Sequence, residues 1–203
     1  MVEKLGLFGG TFDPIHLGHL ICAEQCRIQF ELDEVIFFPA RNPRFKEVAR
    51  VSSACHRLEM VRLATRTNKF FKVSTVEIDV PGPSYTVDTV QTIKSSLKPS
   101  TELFLILGED AVALLPSWKE PSLLADLCSF LILSRPNGGC LDWIQLEESV
   151  PGISHKVNKL DFPPIGISST MIRERIAQGI SIRYLVPEDV EKYIRSNRLF
   201  DVL

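Results

Sequence analysis

An α/β fold is predicted, an open, doubly wound parallel sheet covered by helices on both faces to make three layers. Three observations predict it. Short, continuously apolar runs at Lys4–Phe8, Glu34–Phe38, Glu102–Leu107 and Ser129–Leu133 read as strands buried on both sides. Segments with helical apolar spacing separate them, the alternation expected of parallel strands joined by crossover helices. The 203 residues, 45% hydrophobic and 24% charged, match ordinary globular composition and suffice for one core, so residues 1–203 are expected to form a single domain.

In chain order, Lys4–Phe8 runs into Gly9-Gly10, and Leu17 to about Phe30 follows as a helix through Leu17, Leu20, Ile21, Ala23, Cys26 and Ile28. Pro39 stops the second strand, and the cation-rich stretch 39–52 reads as a loop. Cys55–Thr67 is a second helix by Leu58, Val61, Leu63 and Ala64. The β-branched and aromatic run Phe70–Ile78 is expected as a strand up to Gly82-Pro83, and Ser84–Leu97 as a helix. Glu102–Leu107 ends on Gly108. Pro121–Leu127 has proline at the favoured first helical position. Residues 136–152 are poorly patterned, Lys156–Leu160 is a weak strand, and helices near 169–178 and 187–197 complete the chain.

Composition bounds partner and compartment. A formal net charge of −2 argues against a nucleic-acid coat. The charge is uneven, since residues 41–72 hold nine Lys and Arg against only Glu47 and Glu59. A basic segment of this kind beside a site would steer small polyanions inward. Apolar runs such as Leu103–Leu107 and Phe130–Leu133 are far shorter than the roughly 18 residues of a membrane helix, and the amino-terminal stretch lacks signal-peptide character. The five cysteines include no CxxC pair, and Cys22 and Cys26 are expected as buried small hydrophobes. A reducing cytoplasm is therefore expected, without membrane or nucleic-acid partners.

The most informative stretch is the first strand-to-helix junction, Gly9-Gly10-Thr11-Phe12-Asp13-Pro14-Ile15-His16-Leu17-Gly18-His19. Glycines after a strand allow close backbone approach, and the helix that follows supplies free N–H groups. His16 and His19, three apart, share one helix face. Two imidazoles over a helix N-terminus suit an oxyanion. The P-loop, GxGxxG, GxSxG and HExxH patterns are all absent, which points to another kind of nucleotide fold. A second oxyanion signal is Ile167-Ser168-Ser169-Thr170-Met171-Ile172-Arg173, where Ser168 or Ser169 caps a helix. A cation in the first turn of that helix opposes its dipole, and a bound polyphosphate would explain Arg173 there.

Together these two motifs resemble the HxGH nucleotidyltransferase superfamily, and more closely the bacterial nicotinate-nucleotide adenylyltransferases. The closer likeness rests on Pro39 through Lys46, Pro83-Ser84-Tyr85-Thr86, Gly108-Glu109-Asp110, Pro116-Ser117-Trp118, Ser134-Arg135-Pro136, Leu185-Val186-Pro187 and Tyr193-Ile194, in the family's order. The resemblance implies a Rossmann-like nucleotidyltransferase fold and adenylyl transfer from ATP to nicotinate mononucleotide. It implies that His16, His19 and Arg173 are catalytic. Gly9, Gly10, Thr11, Phe12, Gly108, Asp110 and Ser169 join them in binding ATP, and Tyr85, Thr86, Trp118, Arg44 and Lys46 hold the mononucleotide. Mg²⁺ is implied as an ion carried mainly by the ATP phosphates, with no protein metal site. A homo-oligomer is compatible with the sequence. Two departures stand out: Arg44 and Phe45 replace a proline and a histidine usual in the family, and Glu109 replaces a small or amide residue. Arg57 reads equally as a phosphate ligand or a solvated helix arginine.

Alternatives from the same motifs are a pantetheine-phosphate adenylyltransferase, a non-catalytic nucleotide-binding module and a tRNA-binding fragment. The tyrosine and tryptophan segments disfavour the first. Retention of both histidines and Arg173 disfavours the second, and the lack of an anticodon-binding region the third. Nicotinate and nicotinamide acceptors are not separated by sequence.

Overall fold

The computed structural model describes residues 2–41, 51–80, 82–133, 141–163 and 165–201. Six parallel strands lie in the order β3-β2-β1-β4-β5-β6. They are β1 Lys4–Gly10, β2 Glu34–Pro39, β3 Phe71–Val73, β4 Glu102–Gly108, β5 Ser129–Leu133 and β6 Val157–Lys159. Nine helices occur among the described residues: α1 Leu17–Gln29, α2 Ala54–Thr65, α3 Val76–Asp79, α4 Thr86–Ser95, α5 Glu109–Ala113, α6 Pro121–Leu127, α7 Trp143–Ser149, α8 Ser169–Ala177 and α9 Glu188–Ser196.

Alternate residues of each strand enter opposite cores, as the period-two geometry of a strand requires. Leu5, Leu7, Leu103, Leu105, Phe130 and Ile132 pack with apolar residues of α4, α5, α6 and α7. Phe8, Val35, Phe37, Ile106 and Leu131 pack with those of α1, α2, α8 and α9. The sheet is therefore covered on both faces, and the doubly wound expectation holds. No described helix is long and apolar enough to cross a membrane.

Sheet order places the site. The β1–β4 ladder stops at Leu7–Leu105, whereas β1 continues beside β2 to Gly10 and β4 continues beside β5 to Gly108. The carboxyl ends of the two central strands thus part, opening the crevice of a topological switch point.

Two expectations are corrected. The run Phe70–Ile78 is not one strand, because β3 ends at Val73 and α3 begins at Val76. Local bonds take over there: Ser74 Oγ accepts Val76 N–H, and the Thr75 hydroxyl donates to Asp79. Within 136–152, α7 forms with Asp142 as its cap, accepting Gln145 N–H at 3.0 Å. Its apolar pattern is weak because Trp143 and Ile144 are exposed and Leu146 alone is buried.

Candidate active site

β1 delivers the glycine loop to the crevice, and the loop is held almost entirely through its carbonyl oxygens. Gly10 O accepts Ala40 N–H at 2.9 Å. Thr11 O accepts Arg57 Nη1 at 2.9 Å, Asp13 O accepts Arg173 Nη1 at 2.8 Å, and Pro14 O accepts the Ser169 hydroxyl at 2.9 Å. These partial negative charges are engaged by protein donors, which removes a repulsion that would oppose an incoming anion. A Cβ on Gly9 would lie 2.5 Å from the Phe38 ring, so the close packing of β1 against β2 needs glycine there.

His16 and His19 make a reciprocal cap. His16 is the N-cap of α1; its Nδ1 accepts His19 N–H at 3.4 Å, and His19 Nδ1 accepts His16 N–H at 3.2 Å. The rings stack with centroids 3.6 Å apart and an interplanar angle of 24°. An imidazole whose Nδ1 accepts a hydrogen bond carries its proton on Nε2, so both rings hold the donor tautomer an oxyanion requires. Phe12 (φ 50°) is 2% exposed, and its ring stands edge-on to His19 at 5.1 Å. Its side chain braces the histidine from the core, so any nucleotide contact of Phe12 falls to its backbone.

From the other end of the chain, Ser168 caps α8 by accepting Met171 N–H, and Ser169 is the first helical residue. Arg173 is the fifth residue of α8, beyond the first turn, so the dipole argument for its presence weakens. It grips Asp13 O and, through Nη2, the Thr170 hydroxyl at 3.3 Å. A guanidinium has five N–H donors, and these two bonds leave others for a ligand.

Gly108 caps α5 and Asp110 is its second residue, exposed at the mouth of β4. Tyr85 is the N-cap of α4 and Thr86 its first residue. Tyr85 and Trp118 pack on the same core, and Lys119 ties them together: its ammonium bonds Asp88 at 2.8 Å and lies 4.9 Å from the Tyr85 ring centre. Trp118 is half-buried, and its indole N–H is buried with no partner among the described residues. Such a donor is poised for an acceptor atom. Arg44, Lys46, Phe45 and Ser134-Arg135-Pro136 lie outside the described residues.

Two expectations for the basic segment fail. Arg57 is neither phosphate ligand nor solvated: it is 1% exposed and donates to three backbone carbonyls, Thr11, Arg41 and Ser52. The other described cations are scattered. Arg41 bonds the carbonyls of Ile78 and Val80, Arg66 pairs with Asp189, and Lys72 pairs with Glu34 at 3.4 Å. Arg66 and Lys69, where the chain leaves α2 for β3, sit at the end of the sheet opposite the loop. Steering by this block is not supported among the described residues.

Sequence reasoning also missed Asp13, whose carboxylate is 2% exposed and accepts Ser52 N–H at 3.2 Å. Arg57 could have been found, since it lies in phase with the buried Met60, Val61 and Ala64 of α2.

A family model described as Cytidylyltransferase-like matches residues 7–175. The chain is 44% identical to a probable nicotinate-nucleotide adenylyltransferase of Thermoanaerobacter sp. (strain X514), covering 97% of this chain and 94% of that protein. It is 42% identical to a protein of the same name from Moorella thermoacetica, covering 97% and 91%. In fold it resembles the Plasmodium falciparum nicotinic acid mononucleotide adenylyltransferase complexed with NaAD, with a TM-score of 0.79, 19% identity and 98% of each chain covered.

Proposed function

The chain belongs to the nicotinate-nucleotide adenylyltransferase family, within the Cytidylyltransferase-like group, and from that premise we propose how residues 1–203, as one domain, carry out the reaction. ATP and nicotinate mononucleotide give nicotinic acid adenine dinucleotide and pyrophosphate. A 5′-phosphate oxygen of the mononucleotide attacks the α-phosphorus of ATP in line, a new P–O bond forms, and the bond to the β-phosphate oxygen breaks. The protein supplies positioning and charge stabilisation and forms no covalent intermediate.

The observation that carries this reading is the reciprocal His16–His19 cap directly after the glycine loop. It sets two Nε2–H donors at the N-terminus of α1, where charge builds on the α-phosphate. Arg173 and Ser169 hold the loop from the far side, and the remaining Arg173 donors take phosphate oxygens. The Thr11, Gly9-Gly10 and Phe12 backbone lies along the triphosphate, with Gly108 and Asp110 on the adenosine side of the crevice. Tyr85, Thr86 and Trp118 receive the pyridine end, where the indole stacks on the ring and its N–H meets an acceptor. Arg44 and Lys46 add charge at the mononucleotide phosphate.

Among the described residues the groups around the loop are mainly imidazole, guanidinium, hydroxyl and amide, with Asp13 as the loop's single carboxylate, a set suited to oxyanions and poor in ligands for a hard cation. Mg²⁺ would therefore arrive with the nucleotide and, when bound, would offset the charge of the triphosphate. The enzyme works in the cytoplasm without nucleic acid or membrane.

Pyrophosphate release with MgATP tests the reading, using nicotinate mononucleotide, nicotinamide mononucleotide and pantetheine phosphate in turn. Turnover with nicotinate mononucleotide is expected. Turnover with pantetheine phosphate and neither mononucleotide would overturn it.

A further inference from the structure

The transferred group has to be aligned between the phosphate loop and the pyridine-end segment. One buried charge joins them. The Arg57 guanidinium reaches Thr11 O of the loop at 2.9 Å, Arg41 O at 3.0 Å and Ser52 O at 3.0 Å. Arg41 extends the chain of contacts: its Nη1 bonds Ile78 O at 2.6 Å and Val80 O at 3.2 Å, at the end of α3. From there the backbone runs through Gly82 and Pro83 to Tyr85 and Thr86.

A second connection is electrostatic. Glu77, 7% exposed on α3, accepts the Thr89 hydroxyl of α4 at 2.9 Å and is also bonded by Ser84, beside Tyr85. Arg57 lies within electrostatic reach of Glu77 on this side and of Asp13 on the loop side. Burial disfavours the Arg57 cation and holds its pKa below the usual value, and the two carboxylates offset part of that cost. A buried cation between two buried carboxylates from different segments strongly favours one arrangement, because removing any member strands a charge. None of these groups is assigned a contact with substrate.

We propose that Arg57 is a positioning residue that fixes the phosphate loop relative to the Tyr85–Thr86 segment, so that the two bound nucleotides meet in line. This rests on the adenylyltransferase reading above. A planar fork serving three carbonyls is needed, and lysine keeps the charge but loses that geometry.

The test compares Arg57→Lys, Arg57→Met and Glu77→Gln with the parent chain, with kcat and both KM values scaled to the folded fraction. Misplacing reactants by about 1 Å costs on the order of 100-fold, so Arg57→Lys is expected to lower kcat at least about tenfold. Its KM values for MgATP and mononucleotide are expected to stay within about threefold, since each half-site is intact. Arg57→Met, which strands both carboxylates, is expected to lose more. Glu77→Gln keeps an acceptor for Thr89 and removes only the charge; a kcat loss of about threefold or more is expected, and this variant decides the matter if both Arg57 variants fail to fold. Folded Arg57→Lys with parental kcat would overturn the proposal. So would losses confined to KM, or losses that vanish once scaled to the folded fraction. Failure of the parent chain itself to turn over would instead overturn the functional reading.

Discussion

His16 and His19 each accept the other's backbone N–H through Nδ1, so the three-residue spacing of the two histidines, proposed above as a ligand pair, is a helix-capping box. Capping and catalysis are separable. His16→Asn keeps a good N-cap acceptor and removes the imidazole donor. Its expected outcome is a melting temperature near the parent's with kcat lowered about 100-fold or more, the scale of one lost transition-state donor. His19→Ala is expected to lose a similar factor in kcat and also about 1 kcal/mol of stability, because a cap goes with it. A loss of tenfold or less for His19→Ala would remove it from the catalytic role.

Gly18 stands between the histidines, and a Cβ there would lie 3.0 Å from His16 Nδ1 and 3.1 Å from Cε1. The ring has little room to yield, being stacked on His19. Gly18→Ala is expected to raise helix stability by up to about 1 kcal/mol while lowering kcat about tenfold. Thermal melts paired with initial rates check this, and a variant that gains stability without losing rate would show that the ring tolerates the shift.

Trp118 should act on one substrate only. Stacking of a base on an aromatic ring contributes about 1–3 kcal/mol, so Trp118→Ala is expected to raise KM for the mononucleotide about tenfold or more and leave that for MgATP nearly unchanged. Trp118→Phe keeps the stack and loses the N–H, and an intermediate value is expected. Equal effects on both substrates would return Trp118 to a packing role.

Most of the fold was legible because its strands are apolar throughout and its helices periodic, and β5 and α6 match their expected bounds. The errors fall where local polar bonds outweigh composition, as at Ser74 and Thr75, or where an apolar face meets solvent, as in α7. The site divides in the same way. Its donors were visible as residue types at a junction. The supports were not, because a loop fixed by its carbonyls is decided by the identity of donors far away in sequence. Arg57 was the exception in principle, a cation on an apolar stripe.

Glu77 gives the stability a pH dependence of known sign. Burial, the leading cause, raises its carboxyl above the ordinary 4.5, against the hydrogen bonds of Ser84 and Thr89 and the charge of Arg57. Folding then favours the protonated form, so stability falls as pH climbs from 4.5 through the raised folded value. Urea unfolding of the parent and of Glu77→Gln across this range is expected to show the decline in the parent and its loss in the variant. Parallel curves would mean that Glu77 titrates normally.

The cysteines should differ sharply towards alkylating agents. Cys55 is exposed at the start of α2, while burial pushes the Cys26 and Cys128 thiols up to about 12. Mass spectrometry after brief treatment with iodoacetamide at neutral pH is expected to find Cys55 modified and Cys26 and Cys128 intact. Rapid labelling of Cys26 would mean that α1 opens from the sheet.

The braces on the phosphate loop span nearly the whole chain, from Ser169 back to Pro14 and from Arg173 back to Asp13. During synthesis the loop leaves the ribosome early and its clamps leave late. A chain halted before Ser168 already contains all six strands, yet its loop lacks both contacts. Such a chain also lacks Ile172, Val190 and Ile194, which cover one face of the sheet, so the clamps of the loop and the cover of that core arrive together in the last stretch to be made.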